Sequence, residues 1–492
     1  MSTVTIQQMR EIEQRAIRSG ISEAELMELA GMALGRAMGN QYREVGTAVA
    51  YVGKGHNGGD ALIALRILQE EFGWQVGVRS GFKIDQWAYL TRVQWADLDL
   101  DELLENGFEK QVHAPLLLID GLLGIGAKGA LRDSLLEMAA EMNRLRNECG
   151  ATVVAVDLPS GVDPDTGEIF PGAVVADRTF MIGTAKRGLL FSQAVNATGQ
   201  LALVGVDALR ADDIGEMELI CSQSMDFGKA PRPFDFHKGK AGRVGIVAGS
   251  LSFSGAALLS ALGAIRAGAG MVTLYARPEV AEAIRSRLPF EAMLKLNENP
   301  EELLGDHLDA IVVGPGLGEM DDVFANGLAQ LIAQTKVAMV IDADGLNFMA
   351  ERGLKPNSPH ILTPHPGEFA RLAPELINMN REDAAKTFSE KNVAVLLLKG
   401  ARTIVVKHGN PLRINSTGTP AMSNGGQGDL LSGVIAAQLA GGMNHFDAAA
   451  FGVWLCGHAA ELSYEIHGDV CTATDTAARL GESMRNWRRG ER

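Results

Sequence analysis

The chain has 492 residues, 46% of them hydrophobic and 21% charged, with a formal net charge of -15. That length predicts two or three domains, and the acidic balance excludes nucleic acid or an anionic membrane surface as the main partner. Four scattered cysteines without a CxxC form neither a disulfide framework nor a zinc site, the N-terminus is polar rather than signal-like, and no apolar run is long enough to span a bilayer, so a cytoplasmic location is expected.

In chain order, short β-branched runs alternate with helical patterns. "TAVAYV" (47–52) precedes "GKGHNGGD" and the helix-like "ALIALRILQEE". "LLLID" (116–120) precedes "GLLGIGAKG", and "TVVAVD" (152–157) precedes "LPSGVDPDTG". This βαβ rhythm predicts a mainly parallel sheet covered by helices, with ligands at the carboxyl ends of the strands. All three loops follow strands and are placed to line one edge together.

"GKGHNGGD" is neither a dinucleotide fingerprint nor a Walker loop. No acidic residue follows a second strand at the required distance, and no Lys-Ser/Thr follows the last glycine. It remains a strand, a glycine-rich turn and a helix N-terminus, an arrangement suited to phosphate. Asp120 and Asp157 end strands, where a carboxylate is either functional or a turn former.

With "QQMREIEQRAI", "ELMELAG", "IDGLLGIGAKG" and "VDLPSGVDPDTG", this half resembles the NAD(P)H-hydrate epimerases over residues 1–210. The resemblance implies a Rossmann-like three-layer α/β domain that interconverts the R and S hydrates of NADH and NADPH. It implies substrate contacts from His56, Asn57, Gly58, Gly59 and Asp60, and from Gly124, Ile125, Gly126, Ala127, Lys128, Gly129 and Ala130. Asp157 is implied as a substrate contact and is the candidate acid/base. A potassium ion would be held by Asn57, Asp120 and Ser160, and oxygen donors suit such a hard cation. His56 stands where that family usually has Asn. A non-catalytic binding module, such as the similar domain of mRNA-decapping scaffolds, is the competing reading.

Between about 207 and 236 the rhythm fades into an acidic, then proline-bearing segment, and residues 211–236 are expected to be a linker. The pattern restarts with "RVGIVAGS" (243–250) and the small-residue helix pattern "GAALLSALGAIRAGAG". "DAIVVGPGLG" (309–318), "VAMVIDADGLN" (337–347), "ILTPHPGEF" (361–369) and "VAVLLLKGARTIVVK" (393–407) read as further strands with functional ends.

"SNGGQGDLLSG" (423–433) sets four glycines and Asp429 ahead of an apolar helix. Such a run forms an anion nest at a helix N-terminus. A carboxylate beside it is either a helix N-cap or a base that takes a proton from a hydroxyl attacking a phosphoryl group.

Together with "HKGKAGRVGIVAGS", "VGPGLG", "DADGLN", "HPGE" and "LKGART", the stretch resembles the ribokinase-like superfamily and, within it, the nucleotide-dependent NAD(P)H-hydrate dehydratases, over about residues 237–485 of an expected domain of residues 237–492. Phosphorylation of the hydrate's hydroxyl, followed by loss of phosphate, would regenerate NAD(P)H while ADP becomes AMP. The resemblance implies Asp429 as base on the substrate hydroxyl, with Gly255, Gly316 and His365 at the substrate. Lys399, Gly400, Ala401, Arg402, Thr403 and Gly428 would meet ADP, and magnesium is expected with the nucleotide. Asp342 and Asp344 are equally metal ligands or turn formers. A bifunctional enzyme acting on NADHX or NADPHX, and a homo-oligomer, follow from the two resemblances. A ribokinase-like kinase of a small alcohol or vitamin precursor is the alternative.

Overall fold

The computed structural model describes residues 1–98, 100, 102–110, 112–211, 215–223 and 225–490. The chain divides into two compact units, Ser2–Met217 and Glu218 onward, the second also holding Met1. Of the expected linker, residues 212–214 and 224 lie outside the described residues. Among the described residues no helix is long and apolar enough to cross a membrane.

The first unit is built on a six-stranded sheet in the order Gln75–Arg79, Thr47–Val52, Leu116–Gly121, Thr152–Val156, Arg178–Ile182, Gln200–Val204. Every neighbouring pair is parallel. Strands buried on both faces need continuous apolar runs, and all six residues of TAVAYV and of LLLIDG are buried. Side chains alternate between faces: Val49 and Tyr51 enter one core with Leu118, while Ala48, Ala50 and Val52 enter the other with Ile119. Helices cover both faces, as the three-layer expectation requires. Helix Glu23–Gln41 lies against helix His56–Phe72 through glycines; a Cβ on Gly31 would stand 2.5 Å from the Ile63 Cβ, and one on Gly35 2.8 Å from the Ala64 carbonyl oxygen.

The second unit carries a ten-stranded sheet. Its parallel part runs Ala292–Leu296, Met271–Ala276, Arg243–Val247, Ala310–Val313, Ala338–Ile341, Ile361–Leu362, Val395–Leu398. Two antiparallel strands, Ile404–Val406 and Leu412–Asn415, extend it. The last edge strand, Met217–Ile220, falls in the segment whose sequence carries no period. Four residues are too few to display alternation, and the strand is fixed partly by an ion pair, Glu218 to Arg413 at 3.0 Å. Helix Gln427–Ala440 is buried along almost its whole length against helix Ser254–Arg266. Glycines permit the crossing, since a Cβ on Gly433 would lie 1.9 Å from the Ser260 carbonyl oxygen. Beyond it, Phe451, Trp454 and Trp487 pack ring against ring.

Candidate active sites

In the first unit, the carboxyl ends of the strands open into a cleft of about 650 Å³. The loops after Val52 and Gly121 meet so closely that a Cβ on Gly53 would stand 1.8 Å from the Leu122 carbonyl oxygen. Helix His56–Phe72 then starts with Gly55 at its N-cap. His56, Asn57 and Asp60 line the cleft, together with Gly124, Ile125, Gly126, Ala127 and Asp157. Gly58 and Gly59 instead face protein: added Cβ atoms would meet the Val52 Cγ1 at 2.8 Å and the Met27 Sδ at 2.6 Å. They are small because helices and strand converge there. Lys128, Gly129 and Ala130 are exposed and outside the cleft wall; Lys128 lines a separate hollow with Arg10 and Asp165.

Asp157 ends its strand in the left-handed region, at φ 66°, a conformation that costs a non-glycine residue energy. Its Oδ1 accepts the Ile182 N–H at 2.9 Å and an ion pair from Lys186. Asp120 is wholly buried. Its oxygens accept the Ser160 hydroxyl and the Ser160 N–H, each at 2.7 Å, and the Leu122 N–H at 3.2 Å. Burial nevertheless pushes its carboxyl up to about 6. Asn57 donates to the Leu123 carbonyl at 2.9 Å, and Leu123 N–H donates to the Ser160 hydroxyl at 3.0 Å, so the three expected potassium ligands, from a helix, a strand and a loop, are tied together through Leu123 and Ser160. The donor set is all oxygen and includes a buried carboxylate held only by neutral donors, which fits a monovalent cation.

Sequence reasoning missed Lys186 and Glu13, both in the cleft wall. Each left a signal. Lys186 follows the next strand, Arg178–Ile182, along the same row of strand ends, and Glu13 interrupts the apolar stripe Met9, Ile12, Ala16 of the first helix.

In the second unit, Gly426 is the N-cap of helix Gln427–Ala440, at φ 96°, so Asp429 sits in the first turn rather than capping it. Burial, reinforced by Asp342, Asp344 and Glu368 and opposed by Lys399, pushes the Asp429 carboxyl up to about 6. Lys399 leaves the end of strand Val395–Leu398 and pairs with Asp342 at 2.6 Å and with Glu368 at 3.8 Å. Burial alone would lower its ammonium, but these carboxylates outweigh that and hold it above its ordinary range. Ser432 donates to the other Asp342 oxygen at 2.9 Å. A Cβ on Gly428 would lie 3.3 Å from the Lys399 Nζ.

His365 is the N-cap of helix Pro366–Leu372; its Nδ1 accepts the Gly367 and Glu368 N–H groups, which leaves Nε2 turned to Glu368 at 3.3 Å. Its side chain stays half exposed. Gly255 opens on empty space, and Gly316, at φ 60°, lies under Phe253. The Lys399–Thr403 turn is held from below by Arg381, which donates to the carbonyls of Leu398, Lys399 and Ala401. Within the turn the Thr403 hydroxyl donates to the Gly400 carbonyl at 2.9 Å, and Arg402 takes φ 59°. Ala343, between Asp342 and Asp344, is strained at φ 48°. Asp342 is thus an ion-pair partner, and Asp344 accepts the Gly318 N–H at 2.9 Å. Glu368 and Ser432, which lie inside quoted motifs, are the residues to which the sequence assigned no role.

A family model described as NAD(P)H-hydrate dehydratase matches residues 244–481, and one described as YjeF-related protein N-terminus matches residues 23–188. A bifunctional NAD(P)H-hydrate repair enzyme of Gloeobacter violaceus is 34% identical over 472 residues, covering 91% of this chain and 90% of that protein. The enzyme of the same description from Escherichia coli is 32% identical, covering 90% and 86%. Among solved structures, a ribokinase-like superfamily protein of Enterococcus faecalis superimposes with a TM-score of 0.50 at 25% identity, over 56% of this chain and 99% of that one.

Proposed function

The chain belongs to the bifunctional NAD(P)H-hydrate repair enzymes, and from that premise we propose how its residues divide the work. The protein is an NAD(P)H-hydrate epimerase and dehydratase, an isomerase and a lyase in one chain. The first unit equilibrates the R and S hydrates, and the second dehydrates the S form. The reading of a small-alcohol kinase with an inert N-terminal module is set aside, because both halves match this family.

In the second unit Asp429 takes the proton of the substrate hydroxyl as that oxygen bonds to the terminal phosphorus of ADP. The bridging P–O bond breaks and AMP leaves. Phosphate then departs with the C–O electron pair, a proton is lost from the neighbouring ring carbon, and the double bond re-forms. The observation that carries this reading is Asp429 itself: a half-buried carboxyl in the first turn of a helix behind consecutive glycines, pushed up to about 6 and so poised as a base near neutrality. Gly428 and the Lys399–Thr403 turn receive the nucleotide, while Gly255, Gly316 and His365 receive the hydrate. Magnesium would enter with the nucleotide and offset the charge of its phosphates.

In the first unit, a potassium ion on Asn57, Asp120 and Ser160 would supply a fixed positive charge beside the cleft. Asp157 is the acid/base at the hydroxyl-bearing ring carbon: as it takes the hydroxyl proton, the bond from that carbon to the ring nitrogen breaks to give an aldehyde and a protonated nitrogen, and re-closure on the other face with return of the proton gives the other epimer, while His56, Asn57, Asp60 and residues 124–127 hold the ring. A homo-oligomer and a cytoplasmic location complete this reading and rest on the family alone.

The test uses hydrated NADH as an R/S mixture with ADP, magnesium and potassium, following the return of reduced-nicotinamide absorbance. Complete recovery supports both activities, and arrest after the S fraction removes the epimerase. No recovery with any nucleotide sinks the repair reading.

A further inference from the structure

We propose that Lys186 is a positioning residue of the epimerase site, an ammonium that fixes the orientation and negative charge of Asp157; the inference rests on the epimerase reading above. Lys186 follows strand Arg178–Ile182 in the sequence "GTAKRG", which no motif of the chain singles out. Its side chain is 1% exposed yet forms part of the cleft wall. Burying an ammonium is costly unless its donors are met, and here they are met by the Asp157 carboxylate and by the Ile182 carbonyl at 2.9 Å. Ile182, whose carbonyl accepts a hydrogen bond from Lys186, also donates its N–H to Asp157 Oδ1 at 2.9 Å. The three groups therefore close a ring in which Asp157, already held at a left-handed φ of 66°, has one orientation.

The surroundings explain why a cation is needed. Helix Ile6–Arg18 presents Glu13, with Arg10 behind it, and helix His56–Phe72 presents His56 and Asp60. Asp60, Glu13 and Asp157 are three carboxyls around one ammonium. Burial first, then Asp157 and Glu13, hold Asp60 well above the usual carboxylate range, and burial raises Glu13 as well. Of the three, Asp157 alone has Lys186 as a direct ion-pair partner. The ammonium is thus committed to Asp157, which lines the cleft. Removing the ammonium would leave Asp157 Oδ1 with the Ile182 N–H as its remaining side-chain partner, beside two further carboxyls in the same cleft wall.

Lys186→Met and Lys186→Arg in the full chain test this. Epimerisation is read as kcat and KM from pH 5 to 9 by separating the R and S hydrates, with thermal unfolding and the dehydratase rate on the S form as controls. Lys186→Met is expected to lower kcat about 100-fold near pH 7 and to move the acid limb upward by about one unit or more, with KM little changed. Lys186→Arg keeps the limb at its wild-type position. A Lys186→Met enzyme whose pH profile keeps its shape, or whose rate stays within about two-fold of wild type, overturns the proposal. Should Lys186→Met fail to fold, Lys186→Met/Asp60→Asn, which removes one acid with the cation, is read by the same limb. A wild-type chain that does not epimerise at all overturns the epimerase reading instead.

Discussion

Lys399 and Asp342, 57 positions apart in the chain, meet at 2.6 Å, and the second Asp342 oxygen takes the Ser432 hydroxyl at 2.9 Å. One carboxylate thereby joins the turn after strand Val395–Leu398 to the helix that bears Asp429. Lys399 opposes the upward push on the Asp429 carboxyl, and Asp342 adds to it. The pair sets the charge at which the candidate base works.

The dehydratase rate is accordingly expected to fall as pH drops through about 6, where Asp429 takes up its proton. Asp429→Asn should reduce the rate by about 10²–10⁴-fold without affecting epimerisation. Lys399→Met removes the positive charge that lowers the Asp429 carboxyl, so its acid limb should lie at higher pH than that of the wild type. Steady-state rates on the S hydrate across pH 5 to 9 check both. An unmoved limb in Lys399→Met would detach the lysine from the base.

Potassium is expected to act through Asp120. Its folded carboxyl stands at about 6, above the ordinary value of 3.8. A group raised on folding contributes stability below its unfolded pKa and loses that contribution as pH rises through the folded one. With choline as the only cation, the difference in stability between the wild type and Asp120→Asn should therefore shift against the wild type between pH 4 and 7. Potassium should restore the wild type mainly above pH 6, because it binds the ionised form. Thermal melts of the two proteins in each salt give the comparison.

The strand ends were legible because chemistry and periodicity coincide there. TAVAYV occupies Thr47–Val52 residue for residue, and Asp157, Lys399 and Asp429 follow apolar runs or glycine runs that announce a loop. The partners of those residues were not legible. Lys186 and Glu368 become functional only when the sheet brings separate strand ends together, and nothing in "TAKRG" distinguishes a buried ammonium from a solvated one. Gly58 and Gly59 carry a packing demand of their own, since a helix pressed on Val52 and Met27 requires the same residue that a phosphate loop would.

His360 should make the second unit sensitive to acid. It is fully buried, and neither ring nitrogen finds a hydrogen-bond partner among the described residues. Burial first, then His445 and Lys336, depress it to about 4 from 6.5. The unfolded chain gains that proton at a higher pH than the folded one, so stability falls as pH drops from 6.5 toward 4. The full effect is on the order of 3 kcal/mol. His360→Leu should flatten this part of the stability curve, as read by denaturant titration at several pH values; an unchanged slope would assign the acid sensitivity elsewhere.

Two helical glycines should respond to alanine in opposite directions. At Gly433 a Cβ would stand 1.9 Å from the Ser260 carbonyl oxygen, a backbone atom that cannot swing aside, so the two helices must separate. Overpacking of this kind costs about 1–3 kcal/mol. Asp429 lies one turn earlier on the same helix, and its carbonyl accepts the Ser260 hydroxyl at 3.0 Å. Gly433→Ala should therefore lower the dehydratase rate along with stability. At Gly481, in helix Ala473–Arg489, a Cβ meets nothing within 4 Å. Gly481→Ala should stabilise by about 0.5–1 kcal/mol, because it removes backbone freedom from the unfolded chain, and should leave the rate unchanged. Loss of activity in Gly433→Ala at full stability would mean that the crossing positions Asp429 without supporting the fold.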